Sequence, residues 1–455
     1  MEIDLLVAEI GSTTTVVNAF DNLDSCPQFI GQGQGATTVN EGDVNIGLRN
    51  AIDDLCSKLN KKSVDYKELI ATSSAAGGLR MTVHGLVYDM TVKAAKEAAL
   101  GAGANIKYIT AGRLRKSDLN KIKDINPNII LIAGGVDYGE RDTALYNAEL
   151  ISKMELNIPV IYAGNIENHV DVKDLFEGKA AKLFIVDNVY PKIDELNIEP
   201  TRKVIQKVFE DNIIHAPGME KIREMVNGPI MPTPGAVMEA SELLYSEIGD
   251  LLTIDVGGAT TDVHSVTQES DEISRILLNP EPLAKRTVEG DLGVFVNMIN
   301  IVDMVGKDEL VKELDVSMEE LEDLIKDHKP IPATEIEKKF VEELTLHATI
   351  TAIKRHGGRL RNIYGPIGKK AVAEGKDLTQ VKYIIGTGGA LTRLPDRVEI
   401  LREIPKSNKG NDLLPNDEVN ILIDNDYIMA SLGVMSKKYP QAALKLLKNS
   451  LNIGN

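Results

Sequence analysis

Cysteine is scarce in this 455-residue chain, where Cys26 and Cys56 are the only two. With no Cys-x-x-Cys and no His at ligand spacing, a zinc module is excluded, and reduced thiols of a cytoplasmic protein are the expectation. The chain also lacks any uncharged apolar run of about 18 residues, so no membrane-spanning helix is expected. Positive charge is in deficit: 51 Lys+Arg stand against 68 Asp+Glu, a net charge of −17. Without a basic stripe to neutralise phosphates, a dedicated nucleic-acid or anionic-membrane surface is excluded. The acidic start Met1-Glu2-Ile3-Asp4 has no charged n-region followed by an apolar h-region, so no signal peptide is expected. No low-complexity linker is present either.

What is there is a normal globular balance, 43% hydrophobic and 26% charged, in a chain long enough for two or three domains. Strand and helix signals alternate almost throughout. Two β-branched runs span Val7 to Phe20, a third lies at Gln28–Gly31, a helix at about Val44–Leu59 and a strand at Leu69–Ser73. The middle section has the rhythm of a doubly wound parallel sheet. Its helices are expected at about Lys93–Gly101, Ser117–Asp124, Thr143–Lys153 and Val172–Glu177. Its strands are expected at Ile106–Thr110, Asn128–Ala133, Val160–Ala163 and Leu183–Val186. Thr233-Pro234 reads as an N-cap with Pro at the first helical position, opening a helix to about Ile248. Residues 303–373 read as mostly helical, with later strands at Tyr383–Gly386 and Val419–Ile423. The expected boundaries are a first lobe at 1–80, a βα section at 81–232 and a second lobe at 233–455.

The most informative feature is internal. Residues 5–17, Leu-Leu-Val-Ala-Glu-Ile-Gly-Ser-Thr-Thr-Thr-Val-Val, recur without gaps as residues 251–263, Leu-Leu-Thr-Ile-Asp-Val-Gly-Gly-Ala-Thr-Thr-Asp-Val. Each copy is a strand, a carboxylate, an aliphatic residue, Gly, two small residues, Thr-Thr and a second strand. Two copies, each ahead of an α/β section, predict two related lobes. A strand ending in Gly-small-small-Thr can turn tightly enough for several backbone N–H groups to converge on a phosphate. The carboxylate two residues before the Gly, Glu9 or Asp255, would hold Mg²⁺ through water rather than touch phosphate. On this reading the two hairpins grip one polyphosphate from opposite sides. For either hairpin alone, an ordinary β-turn with a solvent-facing acid is the plain alternative.

A third element follows. Residues 383–392, Tyr-Ile-Ile-Gly-Thr-Gly-Gly-Ala-Leu-Thr, form an apolar strand running into Gly-Thr-Gly-Gly and a helix start. There a nucleoside can lie against the backbone and the helix N-terminus favours an anion. Ile129–Gly135 looks superficially alike, so the value of this signal comes from its position after the second hairpin.

The order hairpin, α/β section, hairpin and Gly-Gly turn resembles the actin / sugar kinase / heat-shock-70 ATPase superfamily. Within it, residues 9–15, 71–78, 253–262 and 385–392 resemble the glutamate mutase (methylaspartate mutase) accessory family of the MutL type. That resemblance spans essentially the whole chain. It implies an α/β fold of two actin-like (ribonuclease H-like) ATPase lobes, with the βα section added in the first half. It also implies an ATPase that keeps an adenosylcobalamin-dependent mutase active by releasing damaged cobalamin. Carried over, Gly11, Ser12, Thr13 and Thr14 would contact phosphate, as would Gly257, Gly258, Thr260 and Thr261. Asp255 and Glu9 would position Mg²⁺ and the attacking water, and Gly386, Gly388 and Gly389 would meet the nucleoside. The first motif usually carries Asp, and the extra methylene of Glu9 moves the carboxylate outward by about 1.5 Å. The implied partners are mutase subunits and ATP or ADP, with homo-oligomerisation left open.

Several motifs remain. Asp262-Val263-His264 invites comparison with a cobalamin box, Asp-x-His-x-x-Gly, but Thr267 stands where Gly is needed. It reads as a structural or surface His, and no direct cobalamin ligand is expected in this chain. Gly31-x-Gly33-x-Gly35 lacks dinucleotide-fingerprint spacing and reads as a turn. Residues 286–293 read as a loop in which Glu289 serves as general base or metal ligand, or else takes part in a salt-bridged turn. Lys354, Arg355, His356, Arg359 and Arg361 read as a basic face of a helix, either solvated or touching phosphate or an acidic partner. Glu140-Arg141-Asp142 reads as a site or a helix N-terminal acid cluster. The rival functions are a small-molecule kinase with Asp262 or Asp291 as base, a filament-forming actin homologue and an ATP-dependent amide hydrolase.

Overall fold

A computed structural model describes residues 2–11, 14–74, 79–213, 218–365 and 368–454. The chain divides into two compact units, residues 1–240 with 430–446 and residues 241–429 with 447–455.

The first unit holds two five-stranded sheets. Strands β1 (Glu2–Ile10), β2 (Thr14–Asp21), β3 (Gln28–Ala36) and β4 (Asp65–Ser73) come first in the chain. Strands β5 (Leu79–Gly85), β6 (Ala104–Ala111), β7 (Ile129–Ile132), β8 (Val160–Tyr162) and β9 (Leu183–Ile185) follow, and then β10 (Ile230–Pro232). The chain leaves the first sheet after β4, builds a second one and returns. The first sheet therefore has the order β10-β4-β1-β2-β3 and the second β6-β5-β7-β8-β9. In the first, β1, β2 and β3 form an antiparallel meander, while β4 and β10 join in parallel. The second is parallel throughout. Parallel sheets need cover on both faces, and their strands read accordingly. Met81, Val83, Ile129 and Leu131 join the core shared with the first sheet. Ile130, Ile132, Val160 and Tyr162 form a separate core on the other face with Ala144, Ala148 and Val172.

The second unit repeats the first sheet. Its strands are β11 (Leu251–Val256), β12 (Thr261–Val266), β13 (Ala284–Glu289), β14 (Arg359–Gly365), β15 (Gly368–Glu374), β16 (Tyr383–Thr387) and β17 (Asn420–Ile423). Their main sheet runs β13-β12-β11-β16-β17, again an antiparallel meander flanked by two parallel strands. The 5–17 and 251–263 repeat is thus a repeat of β1–β2 and β11–β12 in matching places, and the α/β fold of two related lobes is present. Among the described residues, no helix is long and apolar enough to cross a membrane.

Three local expectations are corrected. The glycines at 31, 33 and 35 lie in strand β3, not in a turn. A Cβ at Gly33 would sit 2.1 Å from the Ala51 carbonyl oxygen, so glycine lets the Val44–Lys58 helix pack directly on the strand. Residues 286–289 of the expected loop belong to strand β13, which spans Ala284–Glu289. Arg359 and Arg361 are on β14, which pairs with β15 as a hairpin, because the Glu335–His356 helix ends at Gly357.

Candidate functional site

Both glycine hairpins close in the same way. The Gly11 N–H donates to the Thr14 carbonyl at 3.0 Å, and the Gly257 N–H donates to the Thr260 carbonyl at 2.9 Å. Ser12 and Thr13 of the first hairpin, and Ala75 to Gly78 of the 71–78 motif, lie outside the described residues. Glu9 is buried in β1. Its Oε1 accepts from the Ser431 hydroxyl at 2.6 Å, the Ser431 N–H at 3.2 Å and Asn18 Nδ2 at 3.3 Å.

The second hairpin is fully described, and its backbone is held from one side. The Gly257 carbonyl accepts from the Val294 N–H, and the Gly258 carbonyl accepts from those of Phe295 and Val296. The Ala259 carbonyl accepts from Asn297 Nδ2 at 2.8 Å. In a trans peptide the N–H points opposite to the preceding C=O, and there is no cis bond among the described residues. The N–H groups of Gly258, Ala259 and Thr260 are therefore turned away from the 294–297 segment, three in succession. Such a run makes an anion-binding concavity. The two threonines serve the hairpin itself: Thr261 Oγ1 donates to the Leu292 carbonyl at 2.7 Å, and Thr260 Oγ1 donates to Asp262 at 3.1 Å.

Asp255 lies at the end of β11, two residues before this turn. Burial, and after it the nearby Asp262 carboxylate, pushes its carboxyl up to about 7; Asp424 adds to the rise, while Arg286 opposes it. Three carboxylates thus share one region with one guanidinium. Asp262 and Arg286 are a buried ion pair at 2.6 Å, with a second contact from Nε at 3.1 Å. Asp424 accepts from Thr387, Ser450, Ile428 and Met429. The excess of negative charge, with Asp255 partly accessible beside the buried Asp262 and Asp424, suits a cation, because the alternative is to hold Asp255 protonated near neutral pH. Gly388 closes against Asp255. Its φ is +82°, and a Cβ there would meet Asp255 Oδ1 at 2.4 Å and the Val256 carbonyl oxygen at 2.6 Å. Gly386 packs under Leu401, whereas Gly389 faces open space.

That open space is a cavity of about 200 Å³ in the second unit. Gly258 and Gly389 line it, together with Val256, Val294, Phe295, His328 and Arg393. A mostly apolar chamber with Phe295 and His328 among its walls suits a flat base. Of the residues expected from the sequence, Asp255, Gly257, Gly258, Thr260, Thr261, Gly386, Gly388 and Gly389 all lie in the second unit, while Glu9, Gly11 and Thr14 lie in the first. Glu289 ends β13, where its carboxylate accepts from Arg355 Nη1 at 2.7 Å, and Arg355 also holds Asp291 at 2.8 Å. His356 is fully buried and bonded to Thr287 and Ser265, so the basic face expected at 354–356 is not a continuous surface. His264 is buried within β12, and burial holds its imidazole well below the usual range.

Sequence reasoning missed Asp424, Asn297, Phe295 and His328. Asp424 had a signal, an acid directly after the Asn420–Ile423 run in the strand beside β16. The other three had none, because they reach the site from the 294–297 and 328–332 segments by tertiary packing alone.

A structure of diol dehydratase-reactivating factor in nucleotide-free form matches 97% of this chain and all of its own at 11% identity and a TM-score of 0.40. Xylulose kinase from Lactobacillus acidophilus matches 100% of this chain and 92% of its own at 10% identity and a TM-score of 0.33. Protein MutL of Clostridium tetanomorphum is 35% identical over 458 residues, covering 98% of each chain. The family model for MutL protein matches residues 5–451. On these two matches over nearly its whole length, the chain belongs to the MutL family, the glutamate mutase accessory family that its hairpins resemble.

Proposed function

We propose that this chain is an ATP-dependent, chaperone-like accessory factor that keeps an adenosylcobalamin-dependent mutase of the glutamate mutase type active. The observation that carries the reading is the second hairpin. Its three successive N–H groups turn away from the 294–297 segment, Gly258 at the start of that run lines a base-sized cavity, and Asp255 precedes the turn with two further carboxylates nearby. On this reading the Phe295 and His328 side receives the nucleoside, and Gly389 lets it approach the backbone. The amides of residues 258–260 take phosphate oxygens, acting on charge that grows during phosphoryl transfer. Asp255 would hold Mg²⁺. When bound, that ion would neutralise phosphate charge and hold ordered water. Gly388 leaves room for the Asp255 carboxylate, and Asp424 fixes the Thr387 end of β16. Hydrolysis would change affinity for the mutase by linkage.

A kinase reading is less favoured, because neither acid considered as its base stands unengaged: Asp262 is buried in the Arg286 pair and Asp291 is clamped by Arg355. The test mixes this protein with glutamate mutase inactivated by hydroxocobalamin, Mg²⁺-ATP and fresh adenosylcobalamin. Recovered mutase activity is expected. Intact ATP binding without recovery would remove the assignment. Asp255→Ala should abolish phosphate release while leaving the fold intact; normal turnover in that variant would mean the active site lies elsewhere.

A further inference from the structure

The second sheet of the first unit, with no part in the site above, carries bare apolar side chains at one end. Its order β6-β5-β7-β8-β9 places the fold's switch point between β5 and β7, and in such sheets recognition occurs outside the carboxyl ends of the strands, at that point. The loops leaving β5 and β7 each present an exposed tyrosine. Tyr88 is 60% exposed and Tyr138 is 78% exposed. On the neighbouring connections Val170 is 70% and Ile193 69% exposed. Aromatic and branched residues this bare form no pocket wall; they project.

The backbone beneath them is both strained and held. Tyr138 has φ +62°, a left-handed conformation costly for a bulky side chain. Two buried asparagines hold it there. Asn165 Oδ1 accepts from the Tyr138 N–H at 3.2 Å, and its Nδ2 donates to the Gly139 carbonyl at 3.3 Å. Asn188 Nδ2 donates to the Gly135 carbonyl and to Asp137, both at 2.9 Å. Tyr88 opens a π-helical turn, Tyr88–Val92, another irregularity associated with function. Strain maintained by buried hydrogen bonds, to keep an apolar ring in water, has no use in the isolated fold.

The loops that carry these exposed side chains are mostly acidic. Residues 86–92, 133–142, 163–171 and 186–198 carry nine acids against two bases, Arg141 and Lys192. The basic loop after β6, with Arg113, Arg115 and Lys116, bounds the face on its other edge.

We propose that the carboxyl end of this inserted sheet is a protein-docking face, with Tyr88 and Tyr138 as anchors for a partner surface whose apolar pockets are rimmed by lysine and arginine. Tyrosines in apolar pockets dominate interface energies, and a complementary charged rim steers association. The proposal rests on the accessory reading and names the surface by which this chain meets its mutase.

The test measures binding of the full chain to purified glutamate mutase by biolayer interferometry. The double variant Tyr88→Ser/Tyr138→Ser should raise Kd about 30-fold or more, and Asp89→Lys/Asp187→Lys should slow association and weaken its salt dependence. Calorimetric ADP binding should be unchanged in both, which shows that they fold. Wild-type and variant chains binding equally would overturn the docking face and leave the accessory reading standing. Failure of the wild type to bind in the presence of ATP or ADP would overturn the accessory reading, and this face as its instrument with it. Loss of self-association in the tyrosine variant, seen by sedimentation, would make a second copy of the chain the occupant and refute the basic partner.

Discussion

Replacing Arg286 with Met tests the electrostatic account of the site most directly. Asp262 and Arg286 are 5% and 3% exposed, on adjacent strands β12 and β13, and the guanidinium reaches Asp262 Oδ1 from both Nε and Nη2 at 3.1 and 2.6 Å. Methionine keeps most of the aliphatic volume but leaves the carboxylate buried without its counter-charge. Breaking a buried pair on one side typically costs about 3–5 kcal/mol, most of it the desolvation of the ion left behind. The double change Asp262→Asn/Arg286→Met removes that ion and should recover well over half of the loss. Because the second unit unfolds within a larger chain, the suitable assay is native-state hydrogen exchange of the β12 and β13 amides, which reports local free energy. The same variant has a second signature: Arg286 is the group that opposes the rise of Asp255, so the titration of Asp255 should move further up. A loss below about 1 kcal/mol in the single variant, or no recovery in the double, would refute the picture of a charge-starved carboxylate cluster.

Asp255 itself predicts a pH dependence. Its carboxyl is raised from 3.8 to about 7, so between those values the folded state holds a proton that the unfolded state has lost. Its contribution to stability therefore falls as pH rises from about 4 to about 7. If Mg²⁺-ADP engages the carboxylate, binding should expel that proton: affinity should rise by up to about tenfold per pH unit below 7 and level off above it. Calorimetry in buffers of different ionisation enthalpy would count the proton, and a pH-independent affinity would contradict the assignment. Gly33→Ala should destabilise the first unit by about 3 kcal/mol, at the upper end of overpacking costs, because the clash is with the Ala51 carbonyl of a packed helix. Urea unfolding followed by far-UV circular dichroism would measure it, and a change under about 1 kcal/mol would show that helix and strand can separate cheaply.

Much of this molecule was written locally. The repeat of residues 5–17 at 251–263 needs only strand, glycine and threonine chemistry, and it located both meanders and the second nest. The alternation of apolar strands and helices between 93 and 186 likewise announced a parallel sheet, because strands covered on both faces must be apolar on both. Local pattern misled where an element's partner lay far off in sequence. The Gly31–Gly35 run looks like a turn until the Val44–Lys58 helix is laid against it, and residues 286–289 look like part of a loop until they pair with β12. Tertiary structure alone decided that the inserted sheet interrupts the first lobe between β4 and β10. It also decided that Asp424 stands near Asp255 and that Phe295 and His328 wall the cavity. The physical reason is common to all three. A backbone's own preferences are fixed by neighbours a few residues away, whereas which carboxylates share a field, and which rings share a chamber, depends on packing between segments that no local spacing records.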